Sequence, residues 1–189
     1  MRVLLSLAFV FAFPFVLKHH YLGESKVNRS VIQFSLIGYL IIVLCITLLC
    51  RKLEDKTVIY FDVLKSHRYI LRTIHEGFVT SGISGAIKRY HWVKGTIEGH
   101  TLNTVLFIPF GYLMPLQRRG APKPYWIILL AFLFSLFIEC GQLMTHRGWF
   151  DANDLLHNTL GAMIGLSIYR CILCDDKSKP VGGVNENAD

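Results

Sequence analysis

Long apolar blocks without any charged residue constrain this chain more than any other feature. Four such stretches contain no Asp, Glu, Lys or Arg: 3–17, 31–50, 101–116 and 124–138. A fifth block, 155–169, has only His157 as a group that titrates near neutral pH. Because 52% of the residues are hydrophobic and only 17% are charged, a disordered chain is excluded and a water-soluble globule is disfavoured. The pattern predicts an integral membrane protein.

We expect an all-α integral membrane protein with about five transmembrane helices, four forming a core and one N-terminal. Block 31–50 has about the length that crosses a hydrocarbon core. Block 3–17 has the charge layout of a signal peptide, but no cleavage motif follows it, so a retained helix is favoured over a cleaved one. Block 101–116 contains Pro109 and Gly111, which predict a kinked third helix because proline removes a backbone hydrogen bond.

The chain divides into three regions. These are an N-terminal hydrophobic helix with a basic loop (1–30), a membrane domain (31–174) and a disordered tail (175–189). The least apolar part of the membrane domain, 51–100, is predicted as an interfacial segment on the outer face, because five glycines are expected to interrupt any long helix there. Those glycines are Gly77, Gly82, Gly85, Gly95 and Gly99.

The distribution of Lys and Arg predicts the orientation of the last three helices. The link 117–123 and the tail from Arg170 each carry three basic residues, whereas 145–153 carries only Arg147. The positive-inside rule therefore places 117–123 in the cytoplasm and 145–153 outside. The formal net charge is +7, but the basic residues lie in loops between apolar blocks, so contact with lipid headgroups is favoured and nucleic acid is disfavoured as a partner.

Polar residues at membrane depth form the strongest functional signal. A carboxylate such as Glu139 inside an apolar block is costly unless it faces protein or water. Residues three or four positions apart lie on the same face of a helix, so Gln142 shares the face of Glu139. Further polar residues lie at the same end of the neighbouring helices. The candidate pocket residues, with no role assigned to each, are Asn103, Glu139, Gln142, Arg147, Asp151, Asp154 and Asn158.

Each of these residues also has a structural interpretation. Asp151 is a natural N-cap for the last helix, and the amides of Asn103, Gln142 and Asn158 could bond neighbouring helices. Arg147 could pair with Glu139 or an aspartate. His157 alone is more often a packed residue than a ligand, and no set of ligands with metal spacing is recognised, so neither a metal nor a cofactor is expected. Pro109, Gly111, Gly161 and Gly165 are assigned to helix packing or to a kink.

The order of these residues resembles the VanZ-like membrane family. The resemblance rests on N-T-V-L-F-I-P-F-G from Asn103, E-C-G-Q from Glu139, and the series from Arg147 to Gly165, and it extends to the helix that ends before Arg51. It implies a multi-pass protein of the bacterial cytoplasmic membrane with a link to the cell envelope. The family is associated with resistance to teicoplanin-type glycopeptides.

Three functions are compatible with the sequence. We favour a non-enzymatic envelope protein whose outer-leaflet pocket binds a lipid-linked wall precursor, an anionic headgroup or the glycopeptide target. The alternatives are a membrane enzyme that acts on a polyprenyl or phospholipid substrate through Glu139 or Asp154, and a lipid transporter. The sequence shows neither a nucleophile–base pair nor an inverted repeat, which disfavours both alternatives.

Overall fold

The structure of this chain is a computed structural model that describes residues 29–55, 58–117 and 123–174. The predictions of an N-terminal helix in block 3–17 and of a disordered tail fall outside these residues. The described part is mostly helical, with two short strands. Its elements, in chain order, are helix α1 (Arg29–Leu44), which continues as a π-helical turn (Cys45–Leu49), strand β1 (Ile59–Tyr60), helix α2 (Lys65–Leu116), helix α3 (Pro124–Met144), strand β2 (Phe150–Asp151) and helix α4 (Ala152–Cys174).

The helices form an up-and-down bundle. At one end, the Gln117 side chain after α2 donates a hydrogen bond to the carbonyl of Ile32 in α1, over 3.1 Å. Midway, the Tyr39 hydroxyl of α1 donates to the carbonyl of Leu106 in α2, over 2.8 Å. At the other end, Gln142 of α3 lies beside the turn that ends α1. We call this second end the cleft end. The core between the ends is apolar and includes Val43, Phe107, Phe110, Leu113, Ile138 and Ala162.

Helices α2 and α4 lie in the closest contact of the bundle, because glycines bring their backbones together. A Cβ atom built on Gly161 would lie 1.9 Å from the carbonyl oxygen of Thr104, and one on Gly165 would lie 1.9 Å from that of Ile108. A Cβ atom built on Gly111 of α2 would likewise lie 1.9 Å from the carbonyl oxygen of Ala162. Small residues that allow such an approach are characteristic of helix packing in membranes. The contact fixes the register of α2 against α4.

Helix α2 is a helical hairpin. Its dihedral angles leave the helical region at Ser81 and at Gly82, where φ is +62° and ψ is −146°. This conformation is essentially restricted to glycine. The two arms, 65–80 and 83–116, then run antiparallel, and a Cβ on Gly85 would lie 2.1 Å from the carbonyl oxygen of Gly77. Val93, on the second arm, is fully buried.

An ion-pair cluster joins the arms of the hairpin. Glu76 on the first arm pairs with Arg72 at 2.8 Å and with Arg89 on the second arm at 3.2 Å. The hydrogen bond from Arg72, assisted by the charge of Arg89, lowers the pKa of Glu76. Glu76 therefore stays ionised at neutral pH.

One sequence expectation changes as a result. The prediction that five glycines interrupt any long helix in 51–100 is wrong, since only Gly82 of the five, together with Ser81, leaves the helical dihedral angles. A glycine inside a helix costs only about 1 kcal/mol, which the close contacts of Gly77 and Gly85 can offset. The kink expected at Pro109 stays a prediction, because a proline can bend a helix while its dihedral angles remain helical.

Two described helical segments are long and apolar enough to cross a membrane. They are Ser30–Leu49 and Pro124–Met144, and only 22% and 33% of their most apolar windows are buried. Phe34 is 73% exposed and Phe137 is 60% exposed, so large apolar side chains cover the outside of these segments. A core helix of a water-soluble protein would bury them. The two segments support a membrane location, whereas the expected count of about five transmembrane helices stays a prediction.

We expect Gly161→Ala to destabilise the protein. The added methyl group would collide with the Thr104 carbonyl, and overpacking of this kind costs about 1–3 kcal/mol. The change should lower the melting temperature of the purified protein in detergent micelles.

Gly99→Ala provides the matched control, because a Cβ at Gly99 meets no atom within 4 Å. Replacing this helical glycine should leave stability unchanged or raise it by about 0.5–1 kcal/mol. Equal melting temperatures for the two variants would contradict the proposed packing of α2 on α4.

Candidate functional site

A polar cleft of about 370 Å³ opens at the cleft end of the bundle. Its walls come from two segments, the one that follows α1 and the one that runs from the end of α3 into the first turn of α4. The lining residues are Arg51, Lys52, Glu54, Tyr60, Arg147, Gly148, Trp149, Asp151 and Asp154. Basic, acidic and aromatic side chains therefore share one opening.

Backbone hydrogen bonds join the two segments. Strands β1 and β2 pair in parallel, with Ile59 opposite Phe150 and Tyr60 opposite Asp151. The amide of Glu54 donates to the carbonyl of His146, over 2.7 Å. This two-stranded connection holds the walls of the cleft together and seats Tyr60 against Trp149, with ring centroids 5.9 Å apart.

Arg51 lies at the centre of the cleft's charged groups. One guanidinium nitrogen, Nη1, donates to Oε1 of Gln142 over 3.1 Å, and the other, Nη2, lies 4.0 Å from a carboxylate oxygen of Asp154. The side chain of Asn103 in α2 lies close to Asp154. Gln142 is 1% exposed and donates its own amide to the carbonyl of Thr47 in the π-helical turn. Three helices thus contribute to the placement of one arginine.

Arg147 stabilises the end of the π-helical turn beside the cleft. Its Nη1 donates to the carbonyls of Leu49 and Arg51, over 3.0 and 3.2 Å. The last carbonyls of a helix lack partners within that helix, so a basic side chain at this position satisfies them. The interpretation of Arg147 as an ion-pair partner of Glu139 or an aspartate is replaced by these carbonyl contacts. Among the described side chains, Arg51 is the one that pairs with Asp154.

Glu139 is buried within the protein and does not face lipid. Its side chain is 1% exposed, and its Oε2 accepts a hydrogen bond of 3.0 Å from the amide of Asp151. The carboxylate of Asp151 in turn accepts hydrogen bonds from the amide and side chain of Asn153, at 2.9 and 2.7 Å. The first of these bonds is the N-cap of α4 that its position predicts. Glu139 therefore holds the start of α4 from below the cleft.

The candidate residues separate into two groups. Asn103, Gln142, Arg147, Asp151 and Asp154 line the cleft or contact its lining, with Glu139 beneath. Asn158 is 4% exposed and lies deeper, where its Nδ2 donates to the hydroxyl of Ser135 over 2.8 Å. It bonds α4 to α3 and does not belong to the cleft.

Sequence reasoning missed two features. Arg51 and Lys52, which directly follow the apolar block 31–50, are absent from the predicted pocket residues, although both line the cleft. The second feature is a group of three histidines, His67, His100 and His157, beside another cavity of about 350 Å³. Their ring centroids are 4.3 to 5.2 Å apart. No sequence spacing relates them, because the hairpin of α2 creates the contact between the first two.

The family model described as VanZ/LLP1 matches residues 34–173, a range that begins inside α1, contains α2, α3 and both strands, and ends one residue before the end of α4. The chain belongs to the VanZ/LLP1 family. The cleft and the histidine group both lie within the matched region. Neither a curated protein nor a solved structure matches this VanZ/LLP1 chain. Family membership and the two apolar segments indicate a membrane protein of the cell envelope.

We expect Ser135→Ala to destabilise this VanZ/LLP1 protein through Asn158. The change removes the hydroxyl that accepts the buried Nδ2–H, and an unpaired buried donor costs about 1–3 kcal/mol. The midpoint of thermal unfolding in micelles should fall.

Ser167→Ala is the control, since the exposed hydroxyl of Ser167 bonds only the carbonyl of Met163 in its own helix. It should leave the midpoint nearly unchanged. A Ser135→Ala protein as stable as the Ser167→Ala protein would show that the α3–α4 hydrogen bond contributes little.

Proposed function

We propose that this VanZ/LLP1 protein is a multi-pass protein of the bacterial cytoplasmic membrane whose cleft opens outward and binds a lipid-linked cell-wall precursor. The observation that supports the proposal is the gathering of Arg51, Lys52 and Arg147 at one cleft with two aromatic rings. Cationic side chains at a membrane interface attract phosphate groups. A polyprenyl-linked wall precursor presents phosphates at that depth.

Arg51 is the residue best placed to bind phosphate. Its side chain is 39% exposed, and its guanidinium carries five N–H donors, of which one donates to Gln142 among the described residues. The remaining donors can form the paired contacts that arginine makes with phosphate oxygens. Lys52 is exposed at the same opening and adds charge. Gln142 and Asp154 hold the arginine in place before the ligand arrives.

The rest of the cleft suits a sugar. Carboxylates of Glu54, Asp151 and Asp154 offer acceptors for hydroxyl groups, while the rings of Tyr60 and Trp149 offer apolar faces. A cavity of about 370 Å³ is in the range of small-molecule sites and fits a headgroup rather than a whole lipid. The polyprenyl chain would remain in the bilayer, along the exposed apolar side chains of α1 and α3.

Binding is favoured over catalysis by the environment of Glu139. The enzyme alternative assigns acid–base chemistry to Glu139 or Asp154, but Glu139 is 1% exposed and already accepts the Asp151 amide. Only Asp154 borders the cleft. In the transporter alternative, a carboxylate near the midplane would be expected, whereas Glu139 lies near the cleft end. Under this proposal, expression of the protein would lower glycopeptide susceptibility, since glycopeptides bind wall precursors and a protein that holds the precursor competes with them.

We expect Arg51→Gln to weaken binding of a polyprenyl-pyrophosphate-linked wall precursor to the protein in nanodiscs. Hydrogen bonds to charged groups contribute about 1.5–3 kcal/mol, so the Kd should rise by roughly 10- to 150-fold. Arg51→Lys should fall between, because lysine keeps the charge and loses the paired donors. Arg72→Gln, which removes an exposed arginine of the hairpin, is the control and should bind normally.

Equal affinities of the Arg51→Gln and Arg72→Gln proteins would overturn the proposal. Teicoplanin susceptibility of bacteria that express each variant provides a second measurement. The Arg51→Gln strain should be more susceptible than the Arg72→Gln strain at equal protein levels. Turnover of the precursor by the purified protein, lost in Asp154→Asn, would favour the enzyme alternative.

The orientation of the cleft gives a separate prediction. In a cysteine-free background, a single cysteine at Thr145 should react with a membrane-impermeant maleimide added to intact cells. A single cysteine at Lys123, at the opposite end of α3, should react only after the cells are opened. Both positions are exposed in the structure. The reverse labelling pattern would place the cleft in the cytoplasm and exclude an outer-leaflet ligand.

A further inference from the structure

Three imidazole rings from three helical segments meet at the base of the α2 hairpin. His67 comes from its first arm, His100 from its second and His157 from α4. The rings are stacked, with centroids 5.2 Å apart for His67 and His100, 5.2 Å for His67 and His157, and 4.3 Å for His100 and His157. Each ring has one nitrogen that could bind a metal ion such that these three nitrogens all lie within 4.8 Å of one another.

The hydrogen bonds of Thr104 determine the tautomer of His157. The Thr104 hydroxyl has one proton, which it donates to the carbonyl of His100 over 2.9 Å. Its oxygen can then only accept a hydrogen bond from Nδ1 of His157, 3.2 Å away. The proton of His157 therefore lies on Nδ1, and Nε2 carries a free lone pair.

That lone pair is buried and unused. Among the described residues, Nε2 of His157 and Nδ1 of His67 have no hydrogen-bond partner, although both atoms are shielded from solvent. An unpaired buried acceptor is unfavourable, so such a group needs an explanation. A histidine that donates one N–H to a neighbouring oxygen and points the other nitrogen at its fellow ligands is the usual arrangement in metal sites.

We propose that His67, His100 and His157 bind a divalent transition-metal ion, with zinc as the representative. Imidazole nitrogens suit zinc, copper, iron and nickel, and three of them leave one coordination position open. A tetrahedral zinc site with bonds of about 2.0–2.1 Å separates its nitrogens by roughly 3.4 Å. Metal binding therefore draws together three nitrogens that now lie within 4.8 Å of one another, and it turns the rings out of their stack.

The open position faces the second cavity. That cavity holds about 350 Å³ and is lined, besides the histidines, by the apolar side chains of Ile70, Ile97 and Val105 and by two threonines. A water or a small ligand can occupy it beside the ion. Because the ligands come from both arms of the hairpin and from α4, the ion also joins the hairpin to the bundle, and its binding free energy stabilises that junction.

The test is zinc binding by the untagged full-length protein. After removal of metal with chelator, the protein in detergent is titrated with zinc, and bound zinc is measured by elemental analysis after gel filtration. We expect the tightest site to hold roughly one zinc per chain. His67→Gln, His100→Gln and His157→Gln should each weaken that site at least ~10-fold. His75→Gln and His91→Gln, which remove exposed histidines of the same hairpin, should not.

A pair of threonine variants extends the test to a protein that keeps all three ligands. Thr104→Val removes the oxygen that orients His157 and should weaken zinc binding by about 10- to 100-fold. Thr159→Val should leave it unchanged, since Thr159 does not line the cavity and its hydroxyl donates to the carbonyl of Leu155 in its own helix. Cobalt should give visible d–d absorption bands in the unaltered protein and none in the triple histidine variant.

Two results would overturn the proposal. The first is zinc binding by the unaltered protein no tighter than that of the triple variant. The second is a tight site that survives each single histidine change. Should the histidine variants fail to fold, equal affinities of the folded Thr104→Val and Thr159→Val proteins would also count against the site. Zinc binding is measured independently of precursor binding, so each proposal can fail without the other.

Discussion

The contact between α2 and α4 is the constraint on which the rest of the structure depends. Its glycines place the two backbones so close that a methyl group would collide with a carbonyl. This register sets Asn103 beside Asp154 at the cleft and Thr104 beside His157 at the histidine group. Backbone packing is not driven by hydrophobicity within a membrane, because lipid tails are as apolar as the side chains. Shape therefore fixes the register on which both candidate sites depend.

The polar groups at the cleft end form a buried inner layer and a partly exposed outer layer. Glu139 and Gln142 are almost fully buried and bond the backbone or a neighbouring side chain, while Arg51 is partly open. Buried polar atoms need partners, and these residues supply partners for each other and for the ends of helices. The outer charges are thereby oriented by an inner polar layer. A preorganised arginine loses less freedom on binding a phosphate than one on a mobile loop.

Several parts of the fold and cleft were predictable from residue type alone. Uncharged blocks predicted the apolar helices, Asp151 predicted the cap of α4, and Glu139 indicated a buried contact because a carboxylate at that depth needs one. The hairpin was not predictable, because glycine is compatible both with a break, as at Gly82, and with a close helix contact, as at Gly77 and Gly85. The local sequence does not distinguish these roles.

The sequence by itself determined that the chain is apolar in long blocks, that it resembles one membrane family and that polar residues cluster near the ends of two helices. Hydrophobicity and charge are properties of each residue, so they can be recognised without coordinates. Only the tertiary structure decided which polar groups meet. Arg51 is 91 positions from Gln142, and Thr104 is 53 from His157. Contacts over such separations depend on helix register and loop path, and these are fixed only when the backbones pack.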